Sequence, residues 1–173
     1  MKHVIRKSEK RDCPAIAHVV TVAWNESYRG IVADLELAQM RESEEERARN
    51  ASDRFDECGY HQLVLEADDE VVGFVNYGKA DDEDYEDCGE IFALYIIRKY
   101  QGHGYGRELF MAATEELHKQ GFDRLLVRCL KGNPANGFYV RMGGTYVKDG
   151  VYKRLQLPEN VYYFDGSKEK GQS

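Results

Sequence analysis

The glycine-rich segment at residues 101–106 is placed to bind a phosphate group. It follows an apolar run at residues 91–97 and precedes an amphipathic run at residues 107–120. A glycine-rich turn between a strand and a helix directs several backbone N–H groups to one point, where the positive end of the helix dipole also lies. Glycine lacks the Cβ atom that would keep a phosphate away from that backbone. The segment therefore indicates a phosphate or pyrophosphate site.

The common phosphate-binding motifs fit this segment poorly. The dinucleotide fingerprint G-x-G-x-x-G requires a third glycine where Arg107 stands, and the P-loop pattern G-x-x-x-x-G-K-[ST] is absent. A protein kinase requires a longer chain with a downstream catalytic loop. The segment matches the pattern Q-x-x-G-x-G instead.

Two motifs in order resemble the GNAT superfamily of N-acetyltransferases. The first is Q-x-x-G-x-G at residues 101–106 with Leu94-Tyr95-Ile96 before it. The second is N-x-x-A-x-x-F-Y-x-x-x-G-F, which residues 133–144 approximate. The match is strong over residues 88–146, and two ordered motifs are more specific than one glycine loop. The sequence departs from the family at Asn136, where Ala is usual, at Gly144, where Phe is usual, and at Arg98, where Pro is common.

The resemblance implies that acetyl-CoA is the co-substrate and that no metal is needed. A bulge in the central strand is expected to expose main-chain groups for the pantetheine arm, and the glycine loop is expected to hold the pyrophosphate. A plain core strand is the alternative for residues 94–96 if the loop is ignored. The candidate cofactor-binding residues are Leu94, Tyr95, Ile96, Gln101, Gly102, His103, Gly104, Tyr105, Gly106, Arg107, Asn133 and Asn136.

Acetylation of an amine requires groups that move protons. A free alkyl amine has a pKa of about 10, so at neutral pH it is mostly ammonium and must lose a proton before it attacks. Glu90, which begins the central strand, is the candidate general base, acting through a water. Tyr139, at the position of the family's motif tyrosine, is the candidate general acid. The simpler interpretations are a solvated carboxylate for Glu90 and an aromatic helix anchor for Tyr139.

Three aromatic residues are candidates for the acceptor site. Trp24, Tyr28 and Tyr85 present ring faces of the kind that attract ammonium groups. Core packing of the first helix is the alternative for Trp24 and Tyr28. The acidic run at residues 81–87 is either a solvated loop or a feature that attracts a cationic acceptor.

Composition excludes several classes of function. A net charge of −7 disfavours sequence-independent binding of nucleic acid and is compatible with a cationic substrate. No apolar run approaches the roughly 18–20 residues of a membrane helix, and the first residues lack a signal-peptide pattern, so a cytoplasmic protein without membrane partners is expected. No metal site is expected because no CxxC pair is formed by Cys13, Cys58, Cys88 and Cys129.

Local patterns predict the elements that position these residues. Residue 12 is expected to cap the first helix, Gly121 to end the helix after the glycine loop, and residues 68–69 to turn a hairpin. Strands are predicted at residues 3–6, 61–66, 70–77, 88–97, 125–130, 145–157 and 161–164, and helices at residues 12–25, 35–55, 105–120 and 136–142.

Together these elements predict one α/β domain over residues 1–165 and a polar tail, expected to be disordered, at residues 166–173. The family resemblance implies a mixed, mostly antiparallel sheet of about six or seven strands flanked by helices, with splayed central strands that hold CoA. It also implies transfer of the acetyl group to a primary amine by direct attack in a ternary complex, and leaves a homodimer open.

A small cationic amine such as a polyamine is the favoured acceptor. The alternatives are a peptide N-terminus or lysine as acceptor, and a non-catalytic module that binds acetyl-CoA for regulation.

Overall fold

A computed structural model of the protein describes residues 2–166, which form seven strands in one sheet with helices on both faces. The strands are β1 (His3–Lys7), β2 (His61–Ala67), β3 (Glu70–Lys79), β4 (Gly89–Ile96), β5 (Arg124–Leu130), β6 (Thr145–Tyr152) and β7 (Leu157–Asp165). The helices are α1 (Cys13–Ser27), α2 (Asp34–Glu42), α3 (Glu44–Asp53), α4 (Tyr105–Lys119) and α5 (Ala135–Arg141).

The sheet is mixed and mostly antiparallel, as predicted. Its strand order is β1-β2-β3-β4-β5-β7-β6. Neighbouring strands are antiparallel except β4 and β5, which run parallel because α4 crosses over between them. The expected hairpin of β2 and β3 is present, and its turn places Asp68 and Asp69 at φ of 51° and 68°.

The pairing of β4 with β5 ends early, which opens the middle of the sheet. Only three pairs join these strands, and the last is Ile91 with Val127. On its other edge, β4 carries a bulge at Phe92, since Tyr77 of β3 pairs with Ile91 and Asn76 pairs with Ala93. Beyond these points residues 92–96 and 128–130 diverge, so the predicted splay of the central strands is confirmed.

Helix α4 covers one face of the sheet through the predicted apolar stripe. Leu109, Phe110, Ala113 and Leu117 are all buried, and they pack in one cluster with core residues of β3, β4 and β5. Spacing of three and four residues puts these side chains on one side of a helix, and burial of each large one stabilises the fold by about 1.5–3 kcal/mol. Gly121 ends the helix at φ +97°, as predicted.

One prediction for the N-terminal helices is wrong, and another is right in position only, since Asp12 directly precedes α1 as expected but its side chain does not cap the helix. The predicted helix at residues 35–55 is two helices that meet at Ser43, and the Arg47 guanidinium donates to Thr21 Oγ1 and the Met40 carbonyl beside this break. The carboxylate of Asp12 makes no capping hydrogen bond to α1. It accepts two hydrogen bonds from Arg6, at 2.8 and 3.0 Å, and one from the backbone of Glu9.

The chain ends are only partly described. Gly166, the first residue of the predicted tail, donates its N–H to the Asp123 carbonyl at 2.8 Å. The rest of that predicted tail, residues 167–173, lies outside the described residues. Within residues 2–166, no helix is both long and apolar enough to cross a membrane.

Candidate active site

Three of the predicted cofactor-binding residues lie where β4 and β5 separate. Leu94, Tyr95 and Ile96 lie on the part of β4 that has left β5, so in the described chain the β5-facing edge of this segment pairs with no strand. An edge of this kind offers main-chain donors and acceptors to an extended ligand. The carbonyl of Ile96 is already used, because the side-chain amide of Gln101 donates to it at 2.9 Å.

The glycine loop leads from β4 into α4 with the backbone that was expected. Gly102 and Gly104 have φ of +81° and +83°, and Gly104 is the residue that caps α4. A Cβ atom at either position would meet no atom within 4 Å, so the glycines are required by backbone conformation and not by crowding. His103 and Arg107 are exposed beside this helix start, where a positive charge would assist an anion.

Tyr105 and Glu108 complete the first turn of α4. The ring of Tyr105 is buried beside His3 and His103, with ring centroids 4.7 and 5.6 Å away, so this side chain belongs to the protein core. Glu108 adds a negative charge to the same turn, but its carboxylate lies 2.7 Å from Nε2 of His3. This contact holds the Glu108 carboxylate beside β1.

Asn133 and Asn136 hold the start of α5. The side-chain oxygen of Asn133 accepts the N–H of Ala135 at 2.9 Å, so Asn133 stabilises the start of the helix. Asn136 donates to the carbonyls of Leu130 and Asn133 and accepts from Asn160 and Tyr162, at 2.7–2.9 Å. These four bonds use the hydrogen-bonding capacity of the amide. These bonds attach α5 to β5 and β7, and a cofactor role for Asn136 stays a prediction.

Tyr139 is buried on the α4 face of the sheet. Its ring packs against Phe138, Phe110 and Tyr162. Its hydroxyl makes no hydrogen bond within residues 2–166. Burial, with the nearby Cys129 thiol and Tyr95 hydroxyl, raises the pKa of Tyr139 far above its ordinary value. The phenol is therefore neutral at physiological pH and available as a hydrogen-bond donor.

Glu90 is buried on the opposite face of the sheet. It lies on β4, one residue before the last pair between β4 and β5. Its neighbours Gly89 and Ile91 face α4, so the alternation of a strand turns Glu90 to the other side. Burial raises the pKa of Glu90 to about 7, against an opposing effect of Arg128. A carboxyl with this pKa can both accept and release a proton near neutral pH.

Trp24, Tyr28 and Tyr95 form one aromatic group on the Glu90 face. The ring centroids of Trp24 and Tyr28 are 5.2 Å apart, and the hydroxyls of Tyr28 and Tyr95 are 3.1 Å apart. Trp24 and Tyr28 are buried among Leu37, Met40 and other apolar side chains. Arg154 lies over the Trp24 ring, 5.7 Å from its centre, so a cation of the protein already occupies that position.

Tyr85 lies elsewhere. Its ring packs against Tyr163 at 5.7 Å, and Nζ of Lys148 lies 5.4 Å from its centre. It belongs to a separate apolar cluster with Ala80, Cys88, Leu126 and Val161. The structure therefore does not bring Tyr85 together with Trp24 and Tyr28.

Two of the departures from the family motifs have local explanations. A Cβ atom at Gly144 would lie 2.7 Å from the ring of Phe164, so an aromatic ring from β7 fills the space beside this residue. The backbone N–H of Arg98 donates to the carboxylate of Glu26 at 3.1 Å, a bond that proline cannot make. This bond joins the end of β4 to α1.

Sequence reasoning missed the charged residues around Glu90. Arg128 contacts Asp82, Glu90 and Glu159, whose side chains are only 6–8% exposed. A charged residue at position 128, inside the otherwise apolar run of β5, is the signal that could have identified it, because buried charges are rare without partners. Within the described residues, no His, Cys, Asp and Glu side chains are grouped as a metal site.

Known proteins share this architecture. Residues 31–144 match the model of the acetyltransferase (GNAT) family. The uncharacterized N-acetyltransferase YuaI of Bacillus subtilis (strain 168) is 27% identical over 139 residues, which are 78% of this chain and 76% of that protein.

Solved structures have the same fold at low identity. The PaiA N-acetyltransferase of Thermoplasma acidophilum, in complex with coenzyme A, has a TM-score of 0.77 at 20% identity, over 95% of this chain and 99% of that one. YncA of Salmonella typhimurium, with its cofactor acetyl-CoA, has a TM-score of 0.67 at 20% identity, over 95% and 94%. With its two motifs, its open sheet and a family match over residues 31–144, the chain belongs to the acetyltransferase (GNAT) family and is an acyltransferase.

Proposed function

We propose that this protein transfers the acetyl group of acetyl-CoA to a primary amine of a small cationic molecule, within a complex that holds both substrates. The observation that carries the proposal is the placement of Glu90 and Tyr139. A buried carboxyl with a pKa of about 7 lies on one face of the sheet opening, and a buried neutral phenol lies on the other.

The open edge of β4 and the glycine loop are the proposed acetyl-CoA site. Residues 94–96 offer main-chain groups to the pantetheine arm, and the N–H groups of residues 102–107 at the start of α4 suit its pyrophosphate. Exposed Arg107 adds positive charge there, and the exposed ring of His103 lies beside it. Two structural relatives were solved with coenzyme A or acetyl-CoA, which supports this assignment. The co-substrate supplies an activated acetyl thioester.

Glu90 takes the proton that the attacking amine must lose. An ammonium group with a pKa of about 10 does not attack, so a base that is ionised near pH 7 is required. The proton passes to the Glu90 carboxylate through a water, which frees the nitrogen lone pair. The C–N bond to the acetyl carbon then forms, the C–S bond breaks, and a second proton of the nitrogen ends on the departing thiolate. Burial of the carboxylate favours its protonated form and therefore its ability to accept that proton.

Tyr139 stabilises the sulfur that leaves. A free thiol has a pKa of about 8.5, well below the raised pKa of this phenol. Donation of a hydrogen bond to the developing thiolate is therefore favoured over complete transfer of the phenolic proton. Such a donor, positioned in a buried site, stabilises charge only as it develops.

A cationic acceptor is supported by the charge of the Glu90 face. The protein carries a net charge of −7, and this face holds the buried carboxylates of Glu90 and Glu159 and that of Asp82, which belongs to the acidic loop at residues 81–87. A negative field raises the local concentration of a polyamine-like substrate. We propose that this amine attacks at the sheet opening. There it lies between the carboxylates on one side and the aromatic rings of Trp24 and Tyr28 on the other.

The test is turnover with a defined panel of amines. The purified protein is incubated with acetyl-CoA and diamines, polyamines, amino acids, aminoglycosides and peptides, and thiol release is followed together with product mass. The highest kcat/KM is expected for a diamine or polyamine. A preference for peptide N-termini or lysines would overturn the acceptor class. Tight calorimetric binding of acetyl-CoA without any turnover would overturn the catalytic role.

A cytoplasmic location completes the proposal. All four cysteines are free, and three of them are buried. Thiols of this kind are stable in a reducing compartment. A homodimer stays a prediction.

A further inference from the structure

Arg128 lies where β5 leaves β4. It is the first residue of β5 after the last pair between the two strands, Ile91 with Val127. Its guanidinium reaches three carboxylates that come from three other segments of the chain. Nη2 lies 2.6 Å from Asp82, Nη1 lies 3.6 Å from Glu159, and Nε lies 3.8 Å from Glu90.

One guanidinium cannot neutralise three buried carboxylates. The side chains of Asp82, Glu90 and Glu159 are only 6–8% exposed. Lys148 of β6 supplies a second cation, but it binds Asp82 at 2.9 Å and the exposed Asp84 at 3.0 Å. Asp82 therefore has two cationic partners, Arg128 and Lys148. Glu90 and Glu159 have Arg128 as a shared partner.

Gly150 of β6 makes room for this arrangement. A Cβ atom there would lie 3.0 Å from Nη1 of Arg128 and 3.2 Å from Cγ of Glu159. A side chain at position 150 would thus press on the guanidinium and on the carboxylate that it contacts.

We propose that Arg128 is a positioning residue for Glu90, and that Glu159 competes with Glu90 for it, so that the two together set the pH at which the acceptor site becomes basic. This inference rests on the proposed role of Glu90 as base. Neither residue needs to touch the substrate.

The signs of the two effects are opposite. The charged groups that face Glu90 are Arg128 from β5, Glu159 from β7, and Asp81 and Asp82 from the loop before β4. Arg128 favours the ionised form of Glu90, and the carboxylates oppose it. Loss of the positive charge must therefore raise the pKa of Glu90, and loss of the Glu159 charge must lower it.

The experiment is a titration of Glu90 followed by NMR in the full-length protein. Side-chain carboxyl carbons of glutamate are labelled with ¹³C, and Glu90→Gln identifies the Glu90 signal. The midpoint is measured in wild type, Arg128→Gln, Arg128→Lys and Glu159→Gln. Arg128→Gln is expected to move it upward and Glu159→Gln downward, each by about one pH unit. Arg128→Lys, which keeps the charge, should stay closer to wild type than Arg128→Gln.

Asp84→Asn is the matched control, because it removes a carboxylate that contacts Lys148 but not Arg128. Asp84→Asn should shift the Glu90 midpoint less than Arg128→Gln or Glu159→Gln does. Midpoints that do not move, or that move in the same direction in Arg128→Gln and Glu159→Gln, would overturn the proposal. If Arg128→Gln does not fold, the midpoints of Glu159→Gln and Arg128→Lys still test the proposal.

The outcome is separable from that of the proposed function. The acidic limb of kcat/KM against pH should shift in the same direction as the NMR midpoint. If Glu90→Gln keeps full activity, Glu90 is not the base, and the NMR midpoints still show whether Arg128 and Glu159 control its ionisation.

Discussion

The hydroxyl of Tyr28 lies 3.1 Å from the hydroxyl of Tyr95, and this hydrogen bond connects α1 to the open part of β4. It joins the segment predicted to bind the acceptor to the strand predicted to bind acetyl-CoA. Burial raises the pKa of both phenols, so both stay protonated at neutral pH.

Tyr28→Phe should weaken binding of the amine more than binding of acetyl-CoA. A hydrogen bond contributes about 0.5–1.5 kcal/mol, so an increase of about 3–10-fold in KM for the amine is expected. Initial-rate kinetics and calorimetry with acetyl-CoA measure the two effects. Tyr146→Phe, at an exposed tyrosine of the edge strand β6, is the control. An equal loss of affinity for acetyl-CoA would contradict the assignment of Tyr28 to the acceptor side.

Tyr139→Phe should lower kcat by about 10–100-fold and leave the Kd of acetyl-CoA nearly unchanged, because the phenol acts on the leaving sulfur. Tyr162→Phe is a matched control. The Tyr162 ring lies 6.3 Å from that of Tyr139, and its hydroxyl donates to Asn136 at 2.7 Å. This control should lose about 1 kcal/mol of stability with a much smaller change in kcat. Full activity of Tyr139→Phe would remove Tyr139 from the mechanism.

The pH dependence of kcat/KM should show an acidic limb near the pKa of Glu90, which is about 7. Activity rises as Glu90 loses its proton, since only the carboxylate accepts one from the amine. The raised pKa of Tyr139 predicts no loss of activity from that group at moderately alkaline pH. Glu90→Gln should remove the limb and lower kcat/KM by about 100-fold at alkaline pH. A limb that persists in this variant belongs to another group.

Stability should also depend on the ionisation of Glu90. Its pKa rises from 4.5 to about 7 on folding, so the native state binds more protons than the unfolded state between these values. The free energy of unfolding therefore falls as pH rises through this window, by up to about 3 kcal/mol. Urea denaturation at either end of the window should show a smaller decrease for Glu90→Gln than for wild type. An equal decrease would mean that Glu90 is not the source.

Gly104→Ala should weaken acetyl-CoA binding beyond its effect on stability. The left-handed backbone at φ +83° costs alanine about 1–2 kcal/mol, and the new methyl group projects into the proposed pyrophosphate site. Gly121→Ala is the matched control, since Gly121 has φ +97° at the other end of α4. Both variants should lose similar stability in thermal unfolding, but only Gly104→Ala should lose affinity for acetyl-CoA by calorimetry. Equal affinities would argue against the loop as the pyrophosphate site.

The positions of most elements were predictable because their signals are local. The apolar stripe of α4 and its terminal Gly121, and the turn at residues 68–69, depend only on neighbours a few residues away. The second helical region was predicted as one helix, although Ser43 with Glu46 three residues later is a pattern typical of a helix start. Beside this break, Arg47 makes hydrogen bonds to Thr21 on α1 and to Met40 on α2.

The amino-acid sequence by itself determined the family, most of the order of the strands and helices, and the glycine loop at the start of α4, because these signals depend on residues that are close together in the chain. Only the tertiary structure decided the surroundings of Glu90 and Asn136. Asp82, Arg128 and Glu159 come from separate segments, and the pKa of Glu90 depends on their distance and on burial. Desolvation and charge act through space, so they appear only when the chain has folded.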